Sequence, residues 1–70
     1  MVARVKETAV AGKPYSLFID GICTTSSDSV GELMVEAIRI AEGKGLYLSN
    51  WRTLVTIHKR AVFTAQGNSI

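Results

Sequence analysis

The sequence predicts an α+β protein, an antiparallel β-sheet with a single α-helix (about residues 29–42) packed on one face. The expected order is β-β-β-α-β-β, with one further strand if the last segment folds on itself. Three observations carry this. One stretch alone has apolar residues at helical spacing, an Asp20-Gly21 pair separates two apolar runs, and residues 53–65 alternate with a period of two. One amphipathic helix and several one-sided strands bury their apolar surfaces most simply against each other. The other face of the sheet then meets water or a partner.

Residues 1–10 alternate weakly and end at a Gly12-Lys13-Pro14 turn. Residues 15–19 and 22–25 form a hairpin, because Asp-Gly supplies the two positive-φ positions of a tight turn. In the helix, Val30, Leu33, Met34, Ala37, Ile38 and Ala41 make one broad apolar stripe. Ser29 followed by Glu32 reads as a capping box, and Asp28 adds negative charge at the positive end. Gly43 is the expected left-handed stop and Lys44 complements the negative end; Gly31 in the first turn is a mild objection. Residues 46–48 read as a short strand and Ser49-Asn50 as a turn. In residues 53–65 the odd positions are largely apolar and the even ones largely polar and basic. That segment is one long strand, bent or bulged, or two strands folded at His58-Lys59-Arg60; the lack of Gly, Pro or Asn there favours the single strand. Residues 66–70 read as a flexible tail.

Seventy residues allow one domain, spanning 1–70, and a composition 47% hydrophobic and 20% charged is too apolar for disorder. The longest charge-free run is residues 61–70, too short to span a membrane, and Arg4, Lys6 and Glu7 interrupt any signal-peptide core. A cytoplasmic protein is expected. Cys23, as the one cysteine, excludes an internal disulfide and a multi-cysteine zinc site; a small buried hydrophobe is its expected role. His58 is the one histidine, and with Cys23 it makes at most half a metal site. No nucleophile elbow is present, and Gly43-Lys44-Gly45 ends a helix instead of opening one, the wrong polarity for a phosphate. No enzyme activity, metal or cofactor is expected.

Charge is uneven although the net is +2. Asp28, Glu32, Glu36 and Glu42 lie in or beside the helix, whereas Lys44, Arg52, Lys59 and Arg60 follow it with no acid after position 42. Arg52, His58 and Arg60 share a strand parity, and Arg4 and Lys6 join them if the first strand lies nearby. A basic sheet face opposite an acidic helix would be steered towards an anionic surface. Solvated bases on an open antiparallel sheet are also ordinary, and they discourage aggregation. Tyr47, Trp51 and Arg52 are the residue types of binding hot spots; alternatively, Trp51 closes the end of the core. Val35 points away from the apolar stripe, as a helix-side contact or an ordinary surface valine.

These features predict a small non-enzymatic protein-binding module, with Tyr47, Trp51, Arg52, His58, Lys59 and Arg60 as contact residues. Its expected partner is a protein or nucleoprotein complex with an acidic surface, and no membrane. One alternative is nucleic-acid binding by the basic face with Trp51 or Tyr47 as a stacking platform. Another is a self-associating structural subunit, such as a homodimer. In size and layout the chain resembles small virus-encoded inhibitors, the anti-CRISPR proteins and the short phage proteins that block a host polymerase. That resemblance implies a compact helix-plus-sheet domain without catalytic residues, acting in the host cytoplasm by steric or charge blocking of an acidic host surface. A formal charge of +2 argues against whole-molecule mimicry of nucleic acid, although the Glu32, Glu36, Glu42 side offers it locally.

Overall fold

Five strands and one helix follow each other as β1 (Val2–Glu7), β2 (Tyr15–Ile19), β3 (Ile22–Ser27), α1 (Val30–Gly43), β4 (Leu46–Val55) and β5 (Ala61–Ser69). They are seen in a computed structural model that describes residues 1–8, 12–55 and 61–69, with side chains described at all of these except 49, 50, 53–55, 61 and 62. The sheet is antiparallel throughout, in the order β3-β2-β1-β5-β4. This is the expected class, an antiparallel sheet with one helix packed on it. α1 links the two edge strands, crossing one face of the sheet from β3 to β4.

The hairpin between β2 and β3 forms as the Asp-Gly pair requires. Asp20 (φ 50) and Gly21 (φ 83) both take the positive φ of a two-residue turn matched to strand twist. Asp20 also holds the start of β1, its Oδ1 accepting from Val2 N at 2.7 Å and its N–H donating to Val2 O at 2.9 Å.

The helix begins at the predicted cap. Ser29 Oγ accepts from Glu32 N at 3.3 Å. The return half of the capping box is relayed: Ser29 N donates to Ser27 Oγ at 3.1 Å, and Ser27 Oγ donates to Glu32 Oε2 at 2.7 Å. A strand-end hydroxyl thereby satisfies a free helix donor and orients the carboxylate. The C-terminal stop differs from expectation. Gly43 is still helical, Lys44 is the cap, and Gly45 (φ 70) takes the left-handed position.

The core lies between α1 and the sheet. Ala3, Val5, Leu17, Ile19 and Ala65 come from the strands, and Leu33, Ala37 and Ala41 from the helix. Register aligns them in rows, Ile19–Ala3–Ala65 and Leu17–Val5–Phe63. Alanines on both sides let helix and sheet approach closely. The stripe is turned slightly from the expected one: Ile38 is 39% exposed and Ile40 packs on the core instead.

After the helix the expectations need three corrections. Residues 53–65 are not one strand, because Val55 pairs with Ala61 and Thr53 with Phe63. Partners in this hairpin sum to an even number, so odd positions pair with odd ones and the apolar parity runs unbroken through the reversal. Alternation alone therefore cannot reveal the fold-back. The expected turn at Ser49-Asn50 is a bulge inside one continuous β4: Ser49 faces Gln66 and Arg52 faces Thr64, leaving Asn50 and Trp51 opposite Ala65. Finally, Gln66, Gly67, Asn68 and Ser69, expected in a flexible tail, pair with residues 46–49. Gly67 N also donates to Met1 O at 2.7 Å, and a Cβ on Gly67 would lie 3.3 Å from Met1 Cβ, so the glycine admits a close crossing.

Candidate functional site

Side chains of a strand alternate between faces, so the register that builds the core also defines what the uncovered face displays. On β1 these are Val2, Arg4 and Lys6, on β2 Ser16 and Phe18, and on β5 Thr64, Gln66 and Asn68. The bulge resets the parity of β4. Tyr47 stands opposite Asn68 and Arg52 opposite Thr64, both on the uncovered face, while Leu48 and Trp51 pack on the core side. Leu48 and Trp51 are three apart and would point to opposite faces of a regular strand.

One row crosses four strands: Phe18 on β2, Arg4 on β1, Thr64 on β5 and Arg52 on β4. Arg4 and Arg52 are both exposed and flank Thr64 from either side. Their backbones stand two strand spacings apart, about 10 Å. Lys6 is less free, since its Nζ lies 4.4 Å from the centre of the Phe18 ring in a cation–π contact. Below it runs a line of hydroxyls. Thr8 Oγ1 and Ser26 Oγ each lie 2.7 Å from Ser16 Oγ, which satisfies the buried Ser16 and ties β2 to β3 and to the residue that follows β1. Tyr47, 48% exposed, lies four residues further along β5 from Arg52, about 13 Å. No acidic residue occupies an uncovered-face position of these strands among the described residues.

The predicted contact residues separate into three groups. Arg52 and Tyr47 are exposed on one face, and Arg4 joins them because β5 pairs between β1 and β4. Trp51 is withdrawn from that group: it is half-buried against the core, the alternative raised for it above. His58, Lys59 and Arg60 lie outside the described residues. Thr64 falls on this face as its even position in the alternating segment implies, whereas Phe18 was not expected there. Cys23, expected to be buried, is exposed. It sits on edge strand β3 across from Phe18, after a bulge at Thr24.

The acidic residues are disposed differently. Glu32 and Glu36 line an open polar depression with Thr25, Ser26, Ser27 and Leu33, between α1 and β3. Both carboxylates are engaged, Glu32 by Ser27 and Glu36 by Arg39, whose Nε donates to Glu36 Oε2 at 3.2 Å. That hydrogen bond holds the Arg39 guanidinium above its ordinary pKa. No group of three His, Cys, Asp or Glu suited to a metal occurs among the described residues, and no helix there is long and apolar enough to cross a membrane. Comparison with protein-family models, with curated proteins and with solved structures finds no match for the chain.

Proposed function

We propose that this protein is a non-enzymatic binding module whose uncovered sheet face docks on an acidic surface of a protein or nucleoprotein partner and blocks it, in the manner of small virus-encoded inhibitors. The observation behind this reading is the single row that sets Arg4 and Arg52 on either side of Thr64. Guanidinium groups bind carboxylates bidentately, and they shed water more readily than ammonium groups. Tyr47 supplies an exposed amphipathic anchor on the same face. The helix covers the other face and keeps the display rigid. Lys59, His58 and Arg60 extend the proposed contact set, and the cytoplasm is the proposed place of action.

A second reading, single-stranded nucleic acid, is favoured by one feature: an exposed tyrosine sharing a face with two arginines, the elements of a stacking platform with backbone contacts. The two are separated by titrating the protein with fluorescent poly-L-glutamate and with a single-stranded DNA oligomer across a range of salt. The protein-docking reading expects poly-L-glutamate to bind and the Arg4→Glu/Arg52→Glu variant to lose at least tenfold in affinity while staying folded. Tighter binding of the oligomer, with a log–log salt slope set by phosphates contacted, would move the assignment to nucleic acid. Wild-type affinity in the folded double variant would remove both.

A further inference from the structure

Arg4, Thr64 and Arg52 belong to three adjacent strands, and Thr64 is the direct register partner of both arginines. Directly opposed residues of an antiparallel pair have Cβ atoms about 5 Å apart, so each arginine stem is long enough to carry its guanidinium over the Thr64 hydroxyl. On the far side of Arg4 stands Phe18, whose ring already holds Lys6 Nζ at 4.4 Å, and no strand lies beyond Arg52. Among the described residues neither arginine has an ion-pair or hydrogen-bond partner; the ion pair there is Arg39 with Glu36, on the helix.

We infer that this row binds a phosphate monoester, the phosphorylated side chain of an extended segment of the partner. The inference rests on the docking function above and names the anion that the face would take. A lone carboxylate is saturated by one guanidinium fork, which leaves the second arginine and the hydroxyl idle. A phosphate monoester carries about −1.5 to −2 charge at pH 7 and three strong acceptor oxygens. Two guanidiniums and the Thr64 hydroxyl as donor match it in both charge and number. A nucleic-acid phosphate carries a single charge, so it takes up one arginine.

Tyr47 fixes a second point of contact. It stands opposite Asn68, four residues along β5 from Thr64, about 13 Å. An extended chain turns every second side chain the same way at about 3.3 Å per residue. A segment laid along β5 with its phosphate over Thr64 therefore brings the side chain four positions away to Tyr47, which is 48% exposed. The expected ligand is a phosphorylated residue with an apolar residue four positions from it.

Fluorescence anisotropy with short labelled peptides tests this. Each peptide has a central phosphoserine and a leucine four positions to either side in a Gly-Ser background; controls carry serine or glutamate in place of phosphoserine. The wild type is expected to bind the phosphopeptide at least about tenfold more tightly than the glutamate peptide. Thr64→Val, which keeps the shape of the side chain, should lose about 3- to 30-fold for the phosphopeptide and leave poly-L-glutamate affinity unchanged. Tyr47→Ala should weaken the phosphopeptide but not a version with glycine in place of the leucines. Helical circular dichroism checks that each variant is folded. Equal affinity for the phosphoserine and glutamate peptides overturns the inference, and poly-L-glutamate binding in that case leaves the docking function standing. Failure of every anion to bind, poly-L-glutamate included, overturns both. Wild-type phosphopeptide affinity in folded Thr64→Val also overturns the inference, as does tighter binding of a single-stranded DNA oligomer than of the phosphopeptide.

Discussion

The covered and uncovered faces of the sheet are built from the same strands, one residue apart, yet they are chemically unlike. The covered face carries Ala3, Val5, Leu17, Ile19 and Ala65, all buried under α1. The uncovered one carries Arg4, Lys6, Ser16, Phe18, Thr64 and Arg52, with Tyr47 at its end. Trp51 and Arg52 state the contrast most sharply: they are neighbours in sequence, and strand alternation turns one against the core and the other to solvent. A covered-face side chain is held by packing, so changing it costs fold stability. An uncovered-face arginine is held by little, so changing it should cost only binding.

The largest expected effect lies on the covered side. Leu17 is fully buried on the sheet and Leu33 nearly so on the helix. Leu17→Ala or Leu33→Ala should each lower unfolding free energy by about 2–5 kcal/mol in a urea titration followed by Trp51 emission. A loss below about 1 kcal/mol would mean that the helix is not seated on this face. Ser16 tests the hydroxyl line beneath Lys6. Ser16→Ala leaves Thr8 and Ser26 without a shared partner and should cost about 1–2 kcal/mol. The cap relay is next: Ser29→Ala should cost about 1 kcal/mol, and Ser27→Ala a similar amount although Ser27 lies outside the helix. The smallest effect closes the comparison. Arg52→Ala should shift stability by less than about 0.5 kcal/mol while weakening the binding of poly-L-glutamate. A marked loss of stability there would mean that the two faces are not separable.

The helix and the first hairpin were legible because each is written locally. Ser29 and Glu32 mark the helix start within four residues, and Asp20-Gly21 marks the turn within two. The second hairpin was not, since its partners sum to an even number and leave the alternation unbroken. The β4 bulge was hidden for a related reason. Leu48 and Trp51, three apart, fit no period-two pattern, and a turn at Ser49-Asn50 was the simpler reading of the break. For the site, the sequence marked Arg52 and Tyr47 as contact residues and grouped Trp51 with them by residue type, whereas alternation turns Trp51 to the other face from Arg52 and the bulge is what brings Tyr47 to the same face as Arg52. Arg4 reached the site only through the strand order, which no local pattern encodes.

β1 and β5 come from opposite ends of the described chain and lie side by side in the middle of the sheet, while β4 touches it only through β5. Until β5 is in place, the earlier part is a three-stranded meander under α1, with β4 held to it only through the helix. Completing the sheet therefore requires the β1–β5 pairing, which closes the longest loop in the molecule. Folding should be slow for so small a protein, and a ribosome-bound chain stalled before β5 would hold β1, β2 and β3 under α1 while β4 stays without a strand partner, open to proteases and chaperones.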